Sequence, residues 1–374
     1  AYKCVDFLDP LDPSKKVIVD CPPTVNKDVY VKRQTTNFFE ATQNCTATAA
    51  LCNNIKEALN DAGKEISKVL KLKQIIKVNA TFTDLFDPTL LGNAISARYI
   101  PLTSDDKIIR NYPQALVKQF SLSVHPEYDD YDIIASFNTG VNWWFRTDNE
   151  IIASDQYDFY AVILHELIHG LGFASCWDNA LEAAVNQDTT GLTPDPVIND
   201  DNQFEGFLET IFDKYVKFIR DDVVSTSIVY TSQLNESIPI GTSFDTVEEF
   251  VARVKSSPQW DYAEFALESA TTNDSLTFTP AENTSYKEVI YLESSLNPYN
   301  PGSSVSHLGL RYQSTPDFLM TYYLNPGDSL EYLIQINGNY SSPIGPIILS
   351  ILESIGYETD ACPNPIIPTY ENQC

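Results

Sequence analysis

The chain has 374 residues, enough for one large hydrophobic core or two moderate ones. Its 24 lysines and arginines stand against 51 aspartates and glutamates, which gives a net charge of −27. This charge repels nucleic-acid phosphates and anionic lipids, so we expect no nucleic-acid partner. No stretch approaches the roughly 20 apolar residues of a membrane helix, and we expect no membrane span.

Cysteines and glycosylation sequons favour a secreted, extracellular glycoprotein. The disulfide pairings that close the shortest loops are Cys4 with Cys21, Cys45 with Cys52, and Cys362 with Cys374. Cys176 is left over, and we expect a buried free thiol there. Six Asn-X-Ser/Thr sequons predict N-glycans, at Asn44, Asn79, Asn235, Asn273, Asn283 and Asn339. The first residues lack the features of a signal peptide, so we expect a processed, mature form.

The first half of the chain changes from a cysteine-rich segment to helices and strands. Residues 1–52 are predicted to form a disulfide-stapled N-terminal segment, and residues 53–173 an N-terminal catalytic subdomain. Apolar spacing predicts a helix over 53–72. Alternating and β-branched residues predict strands over 74–82, 94–100, 131–138 and 142–145. A second helix is predicted over 157–171, with one broad apolar face packed on the sheet.

The second half is less regular. We assign residues 174–357 to a C-terminal subdomain with a long insertion, and residues 358–374 to a C-terminal tail. Helical patterns occur over 204–219, 245–256 and 344–356, and a proline- and glycine-rich loop over 297–304. The overall prediction is an α+β protein.

The string His165-Glu166-Leu167-Ile168-His169 lies on the helix predicted over 157–171. Histidines four residues apart lie about 40° apart around a helix, so both imidazoles can reach one ion. Zn²⁺ is the predicted cofactor, because imidazole nitrogens bind it at about 2.0–2.1 Å. Glu166 is then the predicted general base, since it stands near the ion without ligating it.

A three-ligand zinc site needs one more residue, and the chain has only four histidines. The choice lies between His125, which is more typical of a surface or strand-end histidine, and His307. We favour His307, because it precedes Met320, the only methionine of the chain. An acidic third ligand would need a helical ExxxD-type motif, and none is found at a convincing distance.

These motifs resemble those of the metzincin peptidases, in which an HExxHxxG helix is joined by a third histidine and a methionine turn. The matching residues are His165, Glu166, His169, Gly172, His307 and Met320. The compact metzincin pattern would place the third histidine where this chain has Ser175. Leishmanolysin-like peptidases and related secreted bacterial metallopeptidases reach theirs after a long insertion, and the likeness to them covers about 130–173 and 288–357.

The resemblance implies a metzincin-like zincin fold. Such a fold has a twisted mixed sheet, an active-site helix above the cleft, and an irregular, largely helical lower subdomain. It also implies that His165, His169 and His307 bind zinc, and that Met320 has a structural role in the methionine turn. In some metzincins a tyrosine two residues after that methionine approaches the zinc or the oxyanion, which makes Tyr322 a candidate.

The leading functional hypothesis is a secreted zinc endopeptidase that acts on protein or peptide substrates. One alternative is a catalytically silent secreted glycoprotein that uses the same scaffold for adhesion or binding. Another is a zinc hydrolase that does not cleave peptides, because the motif specifies activated water better than it specifies the bond that is cut.

Overall fold

A computed structural model describes residues 3–25, 36–148 and 150–370 of the chain. The strands in these ranges are Lys3–Phe7 (β1), Lys16–Asp20 (β2), Pro23–Val25 (β3), Phe39–Cys45 (β4), Ile76–Thr83 (β5), Gly92–Ser96 (β6), Arg98–Thr103 (β7), Ile109–Pro113 (β8), Val124–Pro126 (β9), Ile133–Asn138 (β10), Trp143–Trp144 (β11), Tyr157–Asp158 (β12), Asp195–Ile198 (β13), Phe204–Leu208 (β14), Val216–Arg220 (β15), Val223–Thr226 (β16), Leu276–Phe278 (β17) and Ile290–Tyr291 (β18). The helices are Ala49–Val69 (α1), Gln114–Val117 (α2), Phe159–Gly170 (α3), Ala180–Ala183 (α4), Ser227–Leu234 (α5), Val247–Lys255 (α6), Trp260–Ala270 (α7), Leu330–Ile336 (α8) and Pro346–Ile355 (α9).

A four-stranded mixed sheet supports the site. Its order is β4-β5-β10-β6, with β4, β5 and β10 parallel and β6 antiparallel at the edge. Along β5, Ile76, Val78, Ala80 and Phe82 are buried and alternate with more exposed residues, as expected where one face of a sheet is covered. Helices α1 and α3 pack against this sheet and against each other. The predicted strands at 74–82 and 131–138 are confirmed.

The strand predicted over 94–100 is two strands in different sheets. The break is at Ala97, whose N–H donates to the carbonyl of Asp132 while its own carbonyl accepts from Phe7, each at 2.9 Å. Strand β6 therefore stays beside β10, and β7 joins the antiparallel sheet β2-β1-β7-β8. Apolar residues continue through the break, so the hydrophobic pattern does not reveal the change of sheet.

Four of the five predicted helices are present, and three of them end within two residues of the predicted bounds, whereas α1 is shifted by three to four residues toward the N-terminus. Helix α1 begins after its N-cap Thr48 and buries one apolar face that includes Ile55, Leu59 and Ile66. The helix predicted over 245–256 is α6, and the one predicted over 344–356 is α9. The fourth, predicted over 157–171, is α3, which carries the site described below.

The prediction of a helix over 204–219 was wrong. This stretch forms β14 and β15, which are joined by residues 209–215 with a short 3₁₀ helix at Asp213–Tyr215. Its buried apolar residues are spaced by three or four and so imitate a helix, whereas Gly206 has a φ of 120° that breaks one. The expected largely helical lower part instead combines α5 to α7 with two sheets, β13-β14 and β16-β15-β17-β18. The chain is a mixed α+β protein with several sheets.

Two predicted disulfides are present, Cys4–Cys21 and Cys45–Cys52. Cys176 is a buried free thiol, as expected. The predicted pairing of Cys362 with Cys374 involves a residue outside the described part of the chain. In that described part, no helix combines the length and apolar character needed to cross a membrane.

Candidate metal centre

Helix α3 is almost entirely buried and carries two of the three histidines, His165 and His169. Its N-cap is Asp158, whose Oδ1 accepts from the N–H groups of Tyr160 and Ala161 at 2.9 and 3.4 Å. The predicted apolar face is buried, and so are most of the other residues of the helix. At Gly170 an added Cβ would lie 2.5 Å from Ile133 of β10, so this glycine lets the helix approach the sheet closely.

Gly172 turns the chain after the helix. Its φ of 113° lies in a region that favours glycine, and a Cβ there would lie 2.7 Å from Pro113. The turn brings the carbonyl of Phe173 to Nδ1 of His169, at 2.7 Å. Gly172 therefore helps to orient His169.

The structure brings together His165, His169 and His307, although His307 lies 138 residues after His169. Their Nε2 atoms are 3.0, 3.0 and 3.1 Å apart. Each Nδ1 lies within hydrogen-bond distance of a backbone carbonyl. Nδ1 of His165 contacts the carbonyl of Leu319 at 2.6 Å, that of His169 contacts Phe173, and that of His307 contacts Ser303 at 2.9 Å.

These contacts fix the tautomers of the three histidines. A carbonyl oxygen can only accept a hydrogen bond, so each Nδ1 carries the hydrogen and each Nε2 holds a lone pair. Burial lowers the pKa of His165 to about 4 and that of His169 to about 3, where the nearby His165 adds to the shift. Burial also places the pKa of His307 well below its usual value. Three neutral imidazoles thus direct lone pairs at one point.

This arrangement fits a zinc ion. Three nitrogens about 3 Å apart can all lie about 2.0–2.1 Å from a single ion placed to one side of their plane. Without a cation the lone pairs would repel each other, since no hydrogen lies between them. Hydrogen bonds from Nδ1 to carbonyls are also the usual outer support of metal-binding histidines. Among the described residues, no other cluster of three His, Cys, Asp or Glu side chains has metal-site geometry.

The loop that carries His307 is fastened on both sides. The carbonyl of His307 accepts a hydrogen bond from the N–H of Glu293 at 2.8 Å. The N–H of the following residue, Leu308, donates to the carbonyl of Met320 at 2.8 Å. Ser306 receives a hydrogen bond on Oγ from the N–H of Ser175 at 3.1 Å. Ser175, which occupies the compact metzincin ligand position, therefore helps to join the two distant segments. Its hydroxyl donates to Asp213 at 2.5 Å.

Met320 is fully buried in the short 3₁₀ turn Phe318–Met320, next to the Leu319 carbonyl that orients His165. The structure thus places the turn against the histidine centre. His125, the alternative third ligand, is not part of the centre. It lies in β9, contacts the carbonyl of Pro126 through Nδ1 and stacks on Tyr128.

Glu166 lines the same cleft as the histidines and is buried. Burial raises its pKa to about 8, against the opposing effect of a hydrogen bond from the backbone N–H of Ala94. Tyr322 also lines the cleft and is half-buried. Its pKa is raised by burial and by the negative charge of Glu293.

The cleft has a volume of about 820 Å³. Its walls come from the loop after β5, the edge strand β6, the loop that carries His307, and α8. Sequence patterns did not point to α8 as a wall. They also missed the three carbonyls that orient the histidines, because any residue supplies a carbonyl and its identity gives no signal.

The fold and the site define a mixed α+β protein with a buried three-histidine centre at the base of a cleft. The chain belongs to the SPBPB7E8-like family, whose family model matches residues 4–372. A relative from the fission yeast Schizosaccharomyces pombe (strain 972), named "Uncharacterized protein PB7E8.01", is 28% identical over 411 residues. That match covers 95% of this chain and 68% of the relative. No solved structure matches the chain.

Proposed function

We propose that this protein is a secreted zinc-dependent endopeptidase of the metzincin type. The observation that carries the proposal is the convergence of three imidazole lone pairs, 3.0–3.1 Å apart, at the base of an open cleft. His165, His169 and His307 would hold the metal. The HExxH spacing and the downstream methionine turn support this assignment.

In the proposed reaction, Glu166 is the general base. When bound, zinc would supply a Lewis acid that makes water acidic enough to lose a proton near neutral pH. Glu166 would be ionised beside a bound cation, because a nearby positive charge opposes the effect of burial on its pKa. Its carboxylate takes that proton and later donates it to the nitrogen of the leaving amine, so the carboxylate is restored after each cycle.

The three histidines keep their Nδ1 hydrogens throughout, because the carbonyls of Leu319, Phe173 and Ser303 hold them there. Tyr322 is the proposed donor to the oxygen that gains negative charge as the peptide carbonyl is attacked. Its place in the cleft wall supports this role. Its hydroxyl is protonated at neutral pH, because the ordinary pKa of tyrosine is about 10 and burial raises that of Tyr322 further.

Secretion and N-glycosylation complete the proposal. Two disulfides support an oxidising compartment. Among the sequons, Asn44, Asn273, Asn283 and Asn339 are exposed, and we assign N-glycans to Asn44, Asn273 and Asn339. By contrast, the side-chain amides of Asn235 and Asn283 donate to the carbonyls of Phe207 and Asn364, at 3.3 and 3.0 Å.

The test is cleavage of a mixed peptide library by the zinc-loaded wild type and by Glu166→Gln. We expect the wild type to cut peptide bonds and the variant to lose activity by at least about 100-fold, because general-base catalysis contributes about 10²–10⁴. Glu40→Gln is the matched control, since Glu40 is exposed and lies outside the cleft. Zinc binding without peptide cleavage would favour the silent binding protein, and turnover of esters alone would favour the other hydrolase.

A further inference from the structure

Phe86, in the loop between β5 and β6, combines two unfavourable features. Its side chain is 91% exposed, and its φ is 58°. A bulky residue rarely adopts this left-handed conformation, and an exposed phenyl ring gains no burial in return. Strain of this kind persists where the surroundings enforce it, and it is concentrated at functional positions.

The loop around Phe86 is held firmly from below. The N–H of Phe86 donates to Oδ1 of Asp84 at 2.8 Å. The buried side chain of Asn138 donates to the carbonyls of Asp87 and Leu90, at 2.7 and 2.8 Å. These bonds fix the loop in a conformation that leaves the ring in solvent, so its exposure is built into the fold.

The loop forms one side of the cleft. Asp87 and the residues from Thr89 to Asn93 line it together with His165 and Glu166, whereas Phe86 stands just outside that lining. A polypeptide chain that lies over the histidine centre and continues past this wall crosses the loop that carries the exposed ring.

We propose that Phe86 is a substrate-anchoring residue, which packs on an apolar side chain of a polypeptide that extends beyond the cleft. The proposal rests on the peptidase function proposed above. A polypeptide suits the position better than a lipid surface, because the exposed carboxylates of Asp84 and Asp87 flank the ring and the chain carries a net charge of −27.

The experiment compares two peptides that contain the same cleaved bond, chosen from the library. One has about eight residues and spans at most about 28 Å, and the other has about 30 residues. With Phe86→Ala we expect KM for the long peptide to rise about five- to tenfold with kcat unchanged, as for loss of an interaction that binds substrate and transition state equally. Kinetics on the short peptide stay at the wild-type level.

Two variants serve as controls, and each is checked for folding by circular dichroism. Phe86→Leu keeps an apolar side chain and should retain most of the affinity for the long peptide. Val223→Ala removes an apolar side chain that is 64% exposed, in β16 and outside the cleft lining. This variant should leave KM and kcat unchanged for both peptides.

The outcomes separate this proposal from the peptidase function. If Phe86→Ala cleaves both peptides like the wild type, or loses both equally, anchoring by Phe86 is wrong while the peptidase function stands. Wild type that cleaves neither peptide contradicts both proposals. Loss of binding to phosphatidylcholine vesicles in Phe86→Ala, with long-peptide kinetics unchanged, would overturn anchoring in favour of lipid contact.

Discussion

Nδ1 of His165 lies 2.6 Å from the carbonyl oxygen of Leu319, although 154 residues separate them in the chain. The neighbouring carbonyl, that of Met320, accepts from the N–H of Leu308, which follows His307. One short turn thus orients a histidine of helix α3 and fastens the loop that carries the third. The buried side chain of Met320 anchors this turn.

Met320→Ala should weaken both the fold and the metal site. Removing a fully buried side chain costs about 2–5 kcal/mol of unfolding free energy, and loss of an outer support lowers metal affinity about 10–100-fold. Met320→Leu conserves volume and should cost less than about 1.5 kcal/mol. Urea unfolding of the zinc-free proteins and chelator competition measure the two effects. Unchanged zinc affinity in Met320→Ala would show that the turn does not support the site.

Asp158 joins the start of the histidine helix to α8, a wall of the cleft. Besides capping α3 through Oδ1, it accepts from the N–H of Leu330 through Oδ2, at 2.8 Å. We expect Asp158→Ala to lower the unfolding free energy by about 2–4 kcal/mol, because it removes a cap and leaves a buried N–H unpaired. The control, Thr48→Ala at the exposed cap of α1, should cost about 1 kcal/mol or less. Equal losses in urea unfolding would contradict the special role of Asp158.

Asp317 gives stability a pH dependence of defined sign. Burial raises its pKa to about 6, while the N–H groups of Ile347 and Ile348 oppose the shift. The folded state therefore holds this proton more tightly than the unfolded state, whose aspartate pKa is about 3.9. The contribution of protonated Asp317 to the free energy of unfolding is fully present below about pH 4. It is lost as pH rises to about 6, at up to about 1.4 kcal/mol per pH unit.

The isosteric variant Asp317→Asn isolates this contribution, because its amide oxygen can still accept from α9. Urea unfolding of both zinc-free proteins should show the variant gaining stability relative to the wild type between pH 4 and 6, with a constant difference above pH 7. A constant difference across the whole range would mean that Asp317 does not titrate as described.

Residues close in sequence were the most predictable. His165, Glu166 and His169 follow from one string on an amphipathic helix, and most helices followed from apolar spacing. His307 could be chosen only because histidines are rare in the chain and Met320 is unique. In a chain richer in both residues, the step across the insertion would have had no such support.

Other features depend on tertiary structure. At Ala97 the hydrogen bonds to Asp132 and Phe7 move the chain between sheets without interrupting its apolar pattern. In the stretch 204–219, the burial of two short strands reproduces the spacing of a helix. The carbonyl of Leu319 orients a histidine through a group that every residue has. Patterns of side chains along the sequence carry no information on these three points.

The central claim is that His165, His169 and His307 hold one zinc ion. The most direct measurement is zinc content by atomic absorption after zinc loading and dialysis, for the wild type, His307→Ala and the control His125→Ala, with folding checked by circular dichroism. We predict about one zinc per chain in the wild type and in His125→Ala, and almost none in His307→Ala, since two imidazoles alone make an incomplete site. A folded wild type without zinc, or equal loss of zinc from both variants, would contradict the assignment.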